Sequence, residues 1–262
     1  MQYLVVCAVA FLVSVLTLFS GFGLGTVLMP FFALFFPVPI AIVATSVVHF
    51  VNNMFKLTLV GKWAKWGVVL SFGLPALLMA LMGAFLLISV SHIKPLFSTS
   101  FYGIPITMTV LGVVVGSLVM LSSVFELVPG LAHLAIPAKY LPIGGALSGF
   151  LGGLTGNQGI LRSAFLIKAG LNTEQFVGTS VVCSVIVDSA RILVYGLALF
   201  TRQFVLIKGL ASLVVAASLA AILGSLIASR FVRKVTFRKL QILVGIMLLI
   251  LGSGLILGVG TQ

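Results

Sequence analysis

The chain has 262 residues, of which 61% are hydrophobic and 7% charged, with a mean hydropathy of +1.34. A soluble domain of this length carries roughly 25% charged residues, so an integral membrane protein is the class that fits. The net charge of +12 comes from 15 Lys and Arg against Glu126, Glu174 and Asp188; these basic residues mostly separate apolar runs, which points to membrane orientation rather than nucleic-acid binding.

The N-terminus, MQYLVVCAVAFLVSVLTLFSGFG, lacks the basic region and small-residue cleavage site of a secretory signal, so it reads as a retained first membrane element. Runs of about 20 apolar residues read as membrane helices. Eight such elements are predicted: Tyr3–Phe36, Ile40–Val60, Gly67–Val90, Leu96–Ser122, Lys139–Ala169, Phe176–Phe200, Phe204–Ser229 and Leu240–Val259. The first and fifth are too long for one crossing. At 1.5 Å per residue the first would be a rod of roughly 50 Å against a hydrocarbon core of about 30 Å. Glycine clusters, SGFGLGT (Ser20–Thr26) and GGLTGNQG (Gly152–Gly159), divide both into two shorter pieces. The predicted fold is therefore an all-α polytopic membrane protein whose first element in each half is broken.

The two halves repeat. An offset of 134 residues places Gly25 on Gly159, and Ala44–Ser46 (ATS) on Gly178–Ser180 (GTS). The segment 123–138 reads as a linker between a first repeat, 1–122, and a second, 139–262. If all eight elements cross, six loop cations fall on one face and seven on the other, against the positive-inside rule. If the first and fifth elements are hairpins, Lys94, Arg202 and Lys208 share one face and ten cations the other. The hairpin arrangement obeys the rule. It also leaves three crossings per half, which inverts one half relative to the other, a recurrent transporter plan. Gly61–Gly67 (GKWAKWG), with two Trp beside two Lys, fits an interfacial anchor on the basic, cytoplasmic side.

Polar residues recur on two helix faces. The second element carries Thr45, His49, Asn52, Asn53 and Lys56; the sixth carries Ser180, Ser184, Asp188, Arg191 and Tyr195. Charges at mid-helix cost on the order of 2.5–3.5 kcal/mol in lipid, so these faces belong against protein or a cavity. Thr45, Ser46, Thr179 and Ser180 fit interhelical hydrogen bonding as well as ligand contact. Asp188 and Arg191, at i and i+3, fit a structural ion pair or, with His49, a coupling group.

The breaks carry the anion chemistry. Unwound backbone at membrane depth is tolerated only against protein or a cavity, and a restarting helix presents free N–H groups and a positive dipole end. Gly23, Gly25 and Thr26 in the first break, with Asn157, Gln158 and Gly159 in the second, are the expected donors. Arg162 adds a cation one turn into the restart, and Thr45, Asn52, Asn53, Thr179 and Ser180 line the approach. Close packing explains the glycines, but not Asn157, Gln158 and Arg162 together.

An intramembrane enzyme is the rival class. G-x-S-x-G is absent, Asp188 is the sole Asp, and His49, His92 and His133 lie on separate segments without metal-ligand spacing. Cys7 and Cys183 form neither a disulfide framework nor a C-x-x-C motif. No metal and no cofactor are expected.

The pieces SGFGLGTVLMP (Ser20–Pro30), AIVATSVVHFVNNMFK (Ala41–Lys56), GFLGGLTGNQGILRSAFLIKAGL (Gly149–Leu171) and FVGTSVVCSVIVDSAR (Phe176–Arg191) resemble, in order and spacing, the sulfite exporter TauE/SafE family, also called the toluene-sulfonate uptake permease family. The resemblance spans nearly the whole chain. It implies a multi-pass carrier in a bacterial-type cytoplasmic (inner) membrane that moves, and often exports, sulfite, sulfoacetate or other sulfonates. The expected partners are a small anion and the lipid bilayer, not nucleic acid; a homodimer is one possible assembly. A passive anion channel built from the same residues, or an enzyme on lipid-linked substrates, are the alternative functions.

Overall fold

The computed structural model describes residues 1–17, 24–101, 104–128, 135–200, 209–231 and 237–258. Among them are ten α-helices: α1 (Gln2–Thr17), α2 (Leu24–Ala33), α3 (Val38–Val60), α4 (Trp66–Ser91), α5 (Val110–Leu127), α6 (Leu141–Thr155), α7 (Gly159–Leu166), α8 (Thr173–Phe200), α9 (Leu210–Phe231) and α10 (Phe237–Leu257). Short 3₁₀ turns at Gly61–Trp63 and Ala138–Tyr140 precede α4 and α6.

Local chemistry sets several boundaries. Prolines occupy the first turns of α3 and α6, where a missing N–H costs nothing. Thr109 caps α5 by accepting from Gly112 N at 2.9 Å. At the start of α8, Asn172 Oδ1 accepts from Gln175 N at 2.9 Å and Gln175 Oε1 accepts from Asn172 N at 3.3 Å, a reciprocal capping box. Gly156, at φ 84, ends α6 in the left-handed conformation that glycine adopts without strain.

Four helical stretches, Val38–Trp63, Trp66–Ser91, Thr173–Ala198 and Leu210–Arg230, are long and apolar enough to cross a membrane. Their outward faces are apolar: Leu70, Leu74, Leu78, Met82 and Phe85 on α4, and Val215, Leu219 and Leu223 on α9, are more than half exposed. In water such stripes would drive association; against lipid they are the solvated surface. The protein is a multi-pass helical membrane protein.

Packing partners are exchanged between the halves. Helix α1 lies against α9 and α6 against α4; α4 also packs on α8 and α9 on α3; α3 pairs with α8 and α5 with α10. The α4–α6 contact runs parallel and is backbone-close. A Cβ added to Gly145, Gly149 or Gly153 would lie 2.0, 2.2 or 2.1 Å from the carbonyl oxygens of Phe72, Ala76 and Ala80. Such small-residue seams are how membrane helices approach without a hydrophobic drive between them.

The fifth element folds back on itself. Ser148 Oγ and the backbone of Gly152 contact Gln158, whereas Gly144 lies under the Phe165 ring. Ile136 N donates to Ala164 O at 2.9 Å. Helix α7 therefore returns antiparallel along α6, and its end lies beside the beginning of α6. For the first element, residues 18–23 lie outside the described residues, so α1 and α2 are seen as separate helices.

Two expectations need correction. The fourth element does not begin as a helix at Leu96: Phe97–Phe101 and Ile104–Met108 form an antiparallel β-hairpin, with Phe97 opposite Met108. Ser98, Thr99, Ser100 and Thr107 favour extended backbone, and Pro105 cannot donate in a helix. The fold is thus helical with one two-stranded excursion rather than strictly all-α. The hairpin is tied to the end of α10 by Thr107 N donating to Gly258 O at 3.0 Å. Helix α5 also continues past Ser122 to Leu127, into the segment read as linker.

Candidate anion site

Helices α3 and α8 pack antiparallel, which brings their polar faces together at mid-length. Asp188 on α8 is the hub. Its Oδ2 accepts from His49 Nδ1 at 2.7 Å and Asn53 Nδ2 at 2.9 Å, both on α3. Its Oδ1 accepts from Arg191 Nε at 3.0 Å, lies 2.7 Å from Arg191 Nη2, and receives Gln158 Nε2 at 3.3 Å. One carboxylate thereby ties α3, α8 and the α6–α7 turn together. Four hydrogen-bond donors and the ion-pair contact with Arg191 Nη2 offset the desolvation of a charge that is 0% exposed.

The two breaks meet beside this hub. A Cβ on Gly25, in the first turn of α2, would lie 3.2 Å from Gly156 O and 3.4 Å from His49 Cδ2. Arg191 Nη1 approaches the same turn from the other side, 2.9 Å from where a Gly156 Cβ would be. Tyr195 donates from its hydroxyl to Gly153 O and holds the end of α6 against α8.

A second, more basic level lies toward the C-terminal end of α3. Lys56 and Arg162, 5% and 1% exposed, lie within electrostatic reach of each other, and Arg162 within reach of Asp188 and Cys183. Arg162 N donates to Gln158 O at 3.1 Å, the first i to i−4 bond of α7, so the amides of Gly159, Ile160 and Leu161 precede it at the positive end of that helix. Lys56, Arg162 and Arg191 are buried against one buried carboxylate, Asp188. Among the described buried residues, basic groups therefore outnumber carboxylates three to one.

The expected site residues divide into groups. Gly25, His49, Asn53, Gln158, Asp188 and Arg191 converge on the hub, and Gly159 and Arg162 form the adjoining start of α7. Thr26 and Thr45 are buried on α2 and α3, and Thr45 Oγ1 and Ser180 Oγ have no hydrogen-bond partner among the described residues. Asn157 turns away: its Nδ2 donates to Ser122 Oγ on α5 at 3.3 Å, and its backbone N donates to Thr155 Oγ1. The backbone N of Gln158 donates to Gly156 O, so these two amides are engaged within the turn. Asn52 Oδ1 accepts from Ser225 Oγ at 2.8 Å, and that hydroxyl meets Ser14 Oγ at 2.8 Å, which joins α1, α3 and α9. Thr179 Oγ1 accepts from Lys65 N at 3.0 Å and fixes the turn into α4. Gly23 lies outside the described residues. Ser14, Ser225 and Ser148 were not anticipated, because one serine in an apolar helix gives no periodic signal. Among the described residues no group of three His, Cys, Asp or Glu could hold a metal ion.

With this geometry in place, the comparison with known families is decisive. The model of the sulfite exporter TauE/SafE family matches residues 6–255. The chain belongs to the TauE/SafE family. No curated protein and no solved structure matches it significantly. The match spans both breaks, the Asp188 hub and the basic level above it. Family membership makes the chain a membrane transporter, and the buried charges lie on elements that the family match covers.

Proposed function

We propose that this TauE/SafE member is a secondary transporter that moves a small sulfur-containing or organic anion, such as sulfite, sulfoacetate or another sulfonate, by alternating access. The observation that carries this reading is the buried charge imbalance. Among the described residues three buried basic groups stand beside one buried carboxylate, an environment that a small anion complements. The positive end of α7, with Arg162 one turn inside it, gives that charge a place. There a helix dipole and a guanidinium, mutually unfavourable alone, both gain from an anion between them.

The packing supports the rest of the reading. The return of α7 along α6 supports a hairpin in the second half; with the first element folded the same way, each half has three crossings and the halves are inverted. Ten loop cations then face the cytoplasm and three the opposite side. In alternating access the halves would shear where Gly25 approaches Gly156, with packing partners drawn from both halves on either side. Export from a bacterial-type inner membrane follows the inside-negative potential, worth about 2.3 kcal/mol per charge per 100 mV.

Arg162→Gln tests the site. A charge-assisted hydrogen bond is worth about 1.5–3 kcal/mol, so affinity for the transported anion should fall roughly 10- to 150-fold. Binding by thermal shift and flux in proteoliposomes, screened over sulfite, thiosulfate and sulfonates, measure it. Unchanged affinity and rate would end the assignment.

A further inference from the structure

His49 stands at the centre of the proposed anion site with one of its two nitrogens committed. Asp188 Oδ2, as a carboxylate oxygen, only accepts, so His49 Nδ1 carries the proton of their 2.7 Å hydrogen bond. Asn53 Nδ2 donates to the same oxygen alongside it. The neutral ring is thereby fixed as the Nδ1–H tautomer, and Nε2 holds an acceptor lone pair. That atom faces the junction of the breaks: a methyl group on Gly25 would lie 3.6 Å from Nε2 and 3.2 Å from Gly156 O. His49 is 7% exposed, whereas Asp188 and Arg191 are fully enclosed. Asn53, at 5%, is the other hub residue on these two helices that is not fully enclosed.

The charged groups around the ring explain what a proton there would do. Asp188 and Arg191 face it from α8, and Lys56 acts on it from α3. Arg162, on α7, is coupled to Lys56 and Asp188. Helices α2 and α4 carry no titratable side chain, and α9 has only Arg230, in its last turn. Residues 18–23, which join α1 to α2, have none. Asp188 is already matched by Arg191, so an imidazolium at position 49 would add charge to an interior in which, among the described residues, basic groups outnumber carboxylates. An anion arriving at the same junction removes that conflict, and each charge then favours the other.

We propose that His49 Nε2 is the proton-binding site of this carrier, and that one proton and the anion bind together where Gly25, Gly156 and His49 meet. The proposal rests on the anion-transport reading. A hydrated proton from the open aqueous side forms an N–H bond at Nε2, converting imidazole to imidazolium while the anion binds. After the conformational exchange that bond breaks, the proton returns to water and the anion leaves on the same side. Nothing is oxidised or reduced. Proton and anion move in the same direction, which the gradients set.

Full-length protein in proteoliposomes tests this with labelled thiosulfate and methanesulfonate, which stay ionised near neutrality and carry no proton themselves. With the lumen one pH unit more alkaline, wild type should accumulate the probe up to about tenfold, the limit for one proton per anion. A luminal pH dye should report acidification in step with uptake. His49→Gln, whose amide still donates to Asp188, should lose gradient-driven accumulation, and its thermal-shift affinity for thiosulfate should no longer rise as the pH falls, as that of wild type does. Retained accumulation in His49→Gln, or an anion affinity in that variant that still rises as the pH falls, overturns the proposal. So does a wild type that moves the probe without protons, a result that needs no variant. A wild type that neither binds nor moves any of these anions instead overturns the anion reading itself.

Discussion

Replacing Gly149 by alanine should destabilise the protein, although alanine is the better helix former. The added Cβ would lie 2.2 Å from Ala76 O, 2.6 Å from its Cα and 2.7 Å from its carbonyl carbon. All three are backbone atoms that cannot rotate away, so α4 and α6 must part by roughly 1 Å to restore ordinary contact distance. Tilting does not avoid this, because Gly145 and Gly153 meet Phe72 O and Ala80 O one turn to either side at 2.0 and 2.1 Å. Overpacking of this kind costs about 1–3 kcal/mol, partly offset by about 1 kcal/mol of helix propensity. A net loss of up to about 2 kcal/mol lowers the melting point by up to roughly 4–8 °C in a protein of this size. The matched control is Gly196→Ala in α8, where nothing lies within 4 Å of the added Cβ. Only the propensity term acts there, so that variant should melt a few degrees higher. Unfolding in detergent can be followed by dye labelling of Cys183, which is 0% exposed in the folded state. Shifts of the same sign in both variants, or a Gly149→Ala melting point indistinguishable from wild type, would refute the seam as a close-packed contact.

Asp188→Asn should cost about 3–5 kcal/mol, because Arg191 is left as a buried charge without its carboxylate. Adding Arg191→Gln should recover part of that loss, and additive melting-point shifts in the four proteins of this cycle would exclude direct coupling. For topology, single cysteines at Lys65 and Lys168 in a Cys7→Ala, Cys183→Ala background should label from the same membrane face with an impermeant maleimide, and one at Ser98 from the opposite face. Labelling of Lys65 and Lys168 from opposite faces would show that α6 and α7 together cross the membrane.

The helices were legible because lipid imposes long apolar runs, and the second break because glycine and polar residues cannot continue such a run without cause. Helix α7 folds back along α6; whether the pair enters and leaves on one membrane face, as the positions of lysine and arginine suggest, is what the labelling experiment decides. The β-hairpin was hidden, since Phe97–Met108 is nearly as apolar as a helix end and Pro105 reads equally well as a loop residue. Contacts between distant positions were hidden too. His49 and Asp188 are 139 residues apart, and Asn52 and Ser225 are 173 apart; periodicity placed His49, Asp188 and Asn52 on inward faces but could not say which faces would meet. Thr179 shows the limit most clearly. Its position in the GTS triplet mirrors Thr45 in ATS, yet one hydroxyl closes a turn through Lys65 N and the other has no partner among the described residues.

That unequal pair is general to the centre of the molecule. At the offset of 134 residues, Arg162 falls on Leu28, Gln158 on Leu24, Asp188 on Met54 and Arg191 on Leu57, while His49 falls on Cys183 and Lys56 on Ala190. The repeated features are the ones that shape backbone: the glycines, the ATS and GTS helix starts, and the exchanged packing. The ionisable residues are not repeated. A physical reason follows from burial. A second copy of Arg162 and of Lys56 would add two basic groups to an interior in which, among the described residues, Asp188 is the one buried carboxylate, and a cation at mid-membrane costs about 2.5–3.5 kcal/mol. One set of charges is as much as one bound anion can offset. An alternating-access carrier needs near-equal energies for its two orientations, which a repeated scaffold supplies, and it needs a single site shared by both. Keeping the chemistry in one copy, at the seam between the halves, satisfies both requirements.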